Sequence, residues 1–167
     1  MKTLIQCVLL IFLTTGLKSE SRFIIQILIN ESNQVLFEGE LIEFHDISAK
    51  LEDIYENCGK SPDFPEMKTV PFDGQLLLSQ CQFSVLVIYD SLVQKSFLDS
   101  VSFQIDRTKD EQKMNFSLMK YNKQFEDLDT KTKSIVDQLF EQSVQFVTQK
   151  ELSNRQVIKS KAIIKNE

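Results

Sequence analysis

The apolar positions change period along the chain. Phe23-Ile24-Ile25-Gln26-Ile27-Leu28-Ile29 is an almost unbroken β-branched run, which predicts a strand buried on both faces. Asn30-Glu31-Ser32-Asn33 is a cluster of turn residues. Val35-Leu36-Phe37-Glu38-Gly39-Glu40-Leu41 predicts a second strand, paired with the first as a hairpin. The period then becomes helical: Ile47, Leu51, Ile54 and Tyr55 fall on one face, with Asp46 placed to cap the helix and Gly59 to end it. Residues 60–75 hold all three prolines and Asp73-Gly74, and read as a loop. Leu76 to Leu78 and Phe83 to Tyr89 predict further strands, and residues 90–99 a short helix or loop. Val101-Ser102-Phe103-Gln104-Ile105 alternates by twos and predicts a strand. Beyond it, stripes at Met114, Leu118, Tyr121 and Phe125, and at Ile135, Leu139, Phe140, Ser143-Val144 and Val147, predict helices over about 111–125 and 130–150.

This order predicts an α+β fold, with a small antiparallel or mixed sheet, helices on one face and two helices at the C-terminal end. The expected organisation is residues 1–20 as a signal peptide or short anchor, 21–150 as one domain, and 151–167 as a basic tail. At 167 residues, with 42% hydrophobic and 26% charged positions, the chain is long enough to bury a core.

The N-terminus bears on location. Lys2 precedes an apolar run from Leu4 to Leu17, closed by Thr14, Thr15 and Gly16, which is the order of a secretory signal peptide. Fourteen helical residues rise about 21 Å, against about 30 Å of hydrocarbon, so a full span is disfavoured. On either reading, cleaved peptide or uncleaved anchor, the rest of the chain is exported, periplasmic or secreted. Any membrane attachment would run through the uncleaved N-terminus alone.

Charge and composition narrow the chemistry. The net charge of −5 becomes −7 once Lys2 and Lys18 leave with the first nineteen residues, which argues against nucleic acid as a partner. Cys58 and Cys81 form an even pair in an exported chain and predict a disulfide around the prolines. Two cysteines and a single histidine, His45, do not make a zinc site, and no phosphate-binding or nucleophile-elbow motif occurs, so no cofactor is expected. His45 beside Asp46 is the one candidate base of a hydrolase, and reads first as a surface residue. Glu38, Glu40 and Glu43 alternate along the second predicted strand and read as its wet face. Asn30-Glu31-Ser32 and Asn115-Phe116-Ser117 match the N-glycosylation pattern. Thirteen phenylalanines read most simply as core, with a lipid-lined cavity as the alternative.

Ile27-Leu28-Ile29-Asn30 through Val35-Leu36-Phe37-Glu38-Gly39-Glu40, followed by Asp46-Ile47 opening a helix, resembles the extracytoplasmic domain of the ExbD/TolR family of biopolymer-transport proteins. Residues 61–74 stand where one subgroup carries a proline-containing insert. Val101 to Thr108 resembles the strand and Asp-Arg-Thr turn before that subgroup's second helix, with Asp106 and Arg107 as turn or interaction residues. The resemblance covers residues 23 to about 125 and implies a force-transmitting subunit, dimeric beside a larger partner. The family's motor needs a transmembrane aspartate, and residues 4–17 hold no acidic residue. Cys58 and Cys81 also lie outside the family's pattern. The resemblance therefore implies a motorless relative: a non-catalytic module binding a protein partner or cell-envelope component, with a homodimer as one form. A secreted carrier of a small hydrophobic ligand is the alternative.

Overall fold

The computed structural model describes residues 23–72 and 76–154. Both the predicted signal peptide and most of the predicted tail lie outside these residues. The predicted α+β class is what the fold shows. Strands β1 (Phe23–Ile29), β2 (Val35–Phe37) and β3 (Glu40–Ile42) are followed by helix α1 (Ile47–Asn57). A ribbon of β4 (Met67–Phe72) and β5 (Leu76–Cys81) comes next, then β6 (Phe83–Tyr89). Helices α2 (Lys95–Tyr121) and α3 (Thr130–Leu139) precede the last strand, β7 (Ser143–Thr148).

The main sheet is mixed, in the order β3-β2-β1-β6-β7. β1 runs parallel to β6 and β6 parallel to β7, while β2 and β3 add antiparallel to the other side of β1. β4 and β5 pair only with each other among the described residues. One sheet face carries Ile25, Ile27, Ile29, Val35, Phe37, Val85 and Val87. These pack with Ile47, Leu51 and Ile54 of α1 and Val101 and Ile105 of α2 as the principal core. The other face bears a smaller cluster of Leu86, Ile88 and Val147, with Leu28 and Leu152 against it. Leu152 belongs to a helical stretch at residues 149–154, so the predicted tail begins inside the folded unit.

The first strand is buried on one face only: Ile25, Ile27 and Ile29 are sealed, while Ile24 is exposed. Both faces are closed on the interior strand β6 instead, where Val85 to Ile88 are all buried. The predicted second strand is two strands. Glu38 and Gly39 both take positive φ, 48° and 87°, and fold residues 35–42 into a hairpin. Two left-handed residues in succession match the right-handed twist of the flanking strands, and a glycine second is what such a turn favours.

Helix α2 replaces the predicted strand at 101–105. Val101, Ile105 and Thr108 fall one and two turns apart and are buried, whereas Phe103 is 65% exposed. No glycine or proline follows Gly74, so nothing interrupts the helix until Asn122, left-handed at φ 53°, ends it. Asp106 and Arg107 are therefore mid-helix and form no turn. Two other expectations also yield. Residues 67–72 are strand rather than loop, and 143–148 are strand rather than the end of a long helix. Asp46 makes no capping bond, since a 3-10 turn (Phe44–Asp46) leads into α1. The cap that does form is Asp129 on α3, accepting from the Thr132 backbone at 3.0 Å and its hydroxyl at 2.6 Å.

Candidate functional site: an open sheet edge and a polar cleft at its foot

β7 alternates polar and apolar residues from Ser143 to Phe146 and ends in the β-branched pair Val147-Thr148, which suits a strand half covered by its neighbours. It pairs with β6 along six residues, Ser84↔Ser143 to Tyr89↔Thr148. No strand lies on its other side among the described residues. Its end is closed: Glu151 accepts from the Thr148 backbone and hydroxyl, both at 2.9 Å. The opposite edge, β3, is only three residues long. Its Glu40 is held by Lys50 at 2.6 Å. A short, charge-bearing strand is a poor template for pairing, while a six-residue edge is a good one.

At the foot of β7 four elements meet around a cleft of about 380 Å³. Tyr55 comes from α1, Cys81 from the end of β5, Phe83 from the start of β6, Gln138 and Phe140 from the end of α3, and Gln142 from the approach to β7. Gln80 and Gln82 add two further amides, 3.4 Å apart. The Gln142 amide nitrogen is buried without a hydrogen-bond partner among the described residues. Tyr55 packs on Phe83 at 4.9 Å between ring centroids, and burial pushes its phenol up to about 12. The phenol therefore stays protonated, and with the amides it lines the cleft with neutral hydrogen-bonding groups, beside the exposed Glu141.

The predicted Cys58–Cys81 disulfide is present, with Cα atoms 5.9 Å apart, joining the end of α1 to the end of β5. Closing a loop of this length stabilises a fold by about 3 kcal/mol in the chain-entropy account. The bridge ties the β4–β5 ribbon to the end of α1, and its Cys81 lines the cleft.

The other candidates do not converge. His45 is exposed, 3.7 Å from Asp46 and edge-on to Phe44. No hydroxyl or thiol hydrogen-bonds to it among the described residues. Glu38 sits in the hairpin turn and Glu40 follows it: Glu38 accepts the Gln26 backbone N–H, and Glu40 pairs with Lys50. Asp106 lies near Ser102 on the exposed side of α2. Arg107 donates to Glu111 at 2.8 Å. Hydrogen bonding to Glu111 raises the Glu52 carboxyl, while Arg107 first and Glu52 second lower that of Glu111. Arg107 thus makes an i,i+4 pair within α2, on the side that faces Glu52 of α1. The glutamines of the cleft escaped the sequence reading, although Gln80/Gln82 and Gln138/Gln142 were visible as close pairs.

Among the described residues no helix is long and apolar enough to cross a membrane. Compared with known proteins, the chain matches no family model and resembles no curated protein sequence.

Proposed function

We propose that this chain is an exported, non-catalytic interaction module that recruits a protein partner along the free edge of β7. The observation that carries the reading is that edge: six residues long and, among the described residues, paired on one side only, at the margin of a sheet backed by the principal core. An exposed strand offers a row of backbone donors and acceptors that an extended partner segment completes. The resemblance to the ExbD/TolR extracytoplasmic domain adds support through β1, the β2–β3 hairpin and the start of α1. Its downstream part, at Val101 to Thr108, loses weight because those residues are helical. A hydrophobic-ligand carrier has less in its favour, since the cleft is walled largely by polar groups.

The test places a photo-crosslinker at Gln145 on β7, and in a control protein at Gln112 on α2, in the full chain. Crosslinks to a defined protein from Gln145 but not Gln112 are expected. They should disappear in Gln145→Lys/Phe146→Lys, because edge lysines oppose strand addition. Equal crosslinking from both positions, or capture unaffected by the edge lysines, would sink the proposal.

A further inference from the structure

Helix α2 leaves an apolar patch uncovered in its last two turns. Met114 is 41% exposed, Leu118 44% and Met119 83%. On a helix the side chains at i+3 and i+4 lie on the same face as residue i and lean back toward it. Leu118 and Met119 therefore gather around Asn115, and Met114 precedes it directly. Asn115 is exposed, and its amide makes no hydrogen bond to another described residue. It is also the acceptor position of Asn115-Phe116-Ser117. Contiguous exposed apolar side chains on an exported protein call for a cover, and an N-linked glycan is a bulky, solubilising one.

We infer that Asn115 is an N-glycosylation site whose glycan shields the Met114–Leu118–Met119 patch. This goes beyond the edge-binding reading, shares with it the premise of export, and adds that of a secretory route that carries out N-glycosylation. The co-reactant is a lipid-diphosphate-linked oligosaccharide with its membrane transferase. The Asn115 Nδ2 attacks the anomeric carbon, forming the N–C bond. The bond from that carbon to the diphosphate oxygen breaks, the lipid diphosphate leaves with the electron pair, and the amide nitrogen loses one proton. No oxidation is involved.

The fold dictates when this happens. The Ser117 hydroxyl, which the pattern requires, is buried in the finished helix and donates to the Lys113 carbonyl at 2.8 Å. Transfer therefore precedes the folding of α2. Asn115 itself points outward, so the completed fold accommodates the sugar. Asn30 differs: its side chain closes the turn after β1, accepting from the Ser32 and Gln34 backbones at 3.0 and 2.9 Å and donating to the Gln34 side chain at 2.7 Å.

The experiment expresses the full chain with Asn30→Gln in a eukaryotic secretory cell, leaving Asn115 as the only intact pattern. A single mass increment removable by an N-glycan amidase, and lost in Ser117→Ala and Asn115→Gln, is expected. A secreted protein without the increment overturns the site while leaving export standing. A protein retained unmodified in the cytosol overturns both. For the shield, amidase treatment of the folded glycoprotein should raise binding of an apolar dye several-fold. The rise should vanish when Met114, Leu118 and Met119 are replaced by Gln. Unchanged dye binding after deglycosylation would show that the sugar does not cover the patch.

Discussion

Tyr55 shows how one side chain ties the cleft to stability. Its phenol is mostly buried against Phe83, and the charged form is disfavoured by lost hydration. The folded protein holds this proton until about pH 12, whereas the unfolded chain releases it near the ordinary value of 10.0. A raised folded-state value means stability is fully present below the unfolded value and is lost as pH rises between the two. That difference corresponds to about 3 kcal/mol. Urea unfolding of wild type and Tyr55→Phe should therefore run nearly level at about pH 8 and diverge above about pH 10, with wild type the weaker. Parallel profiles up to about pH 12 would mean that the phenol is not sealed by the fold.

At the scale of elements, α2 is where two periods competed. Val101, Phe103 and Ile105 fit one face of a strand, and Val101, Ile105 and Thr108 fit one face of a helix. Three β-branched or aromatic residues in five favour the strand locally. Helical continuity and packing against α1 decide otherwise: Thr108 is buried at the crossing, its hydroxyl 3.4 Å from the Ser48 carbonyl. The two readings give opposite mutational patterns. Ile105→Ala should cost about 2–5 kcal/mol, as buried large-to-small changes do. Phe103→Ala should stay within about 0.5 kcal/mol, because the ring lies in solvent. Chemical denaturation separates them, and equal losses at both positions would restore the strand. The same contest explains the rest of the reading. β1, β6, α1 and the disulfide were legible because one strong pattern covers each. β7 was hidden because Val144 and Val147 also continue the helical stripe of Ile135 and Leu139. Only parallel pairing with β6, from which it is separated by two helices, makes those residues a strand. The candidate site suffered with it, since its edge and cleft exist only once β7 is in place.

Across the whole molecule the sheet's second face sets the remaining constraint. Register aligns Leu41, Leu36, Leu28, Ile88 and Val147 in one row that crosses all five strands. Its cover is graded: Leu41 is 62% exposed, Leu36 and Leu28 half-buried, Ile88 and Val147 buried beside Leu152. The helical stretch after β7 thus closes the row at the end next to the proposed docking edge and leaves the β3 end open. Leu152→Lys should place a charge against Ile88 and Val147, lower the urea midpoint clearly and raise apolar-dye binding. Leu41→Lys, at the exposed end of the same row, should change stability by no more than about 0.5 kcal/mol. If the two variants behaved alike, the stretch after β7 would be an appendage rather than part of the fold. Crosslinking from Gln145 would then have to be read against an edge that its own C-terminal neighbour does not hold in place.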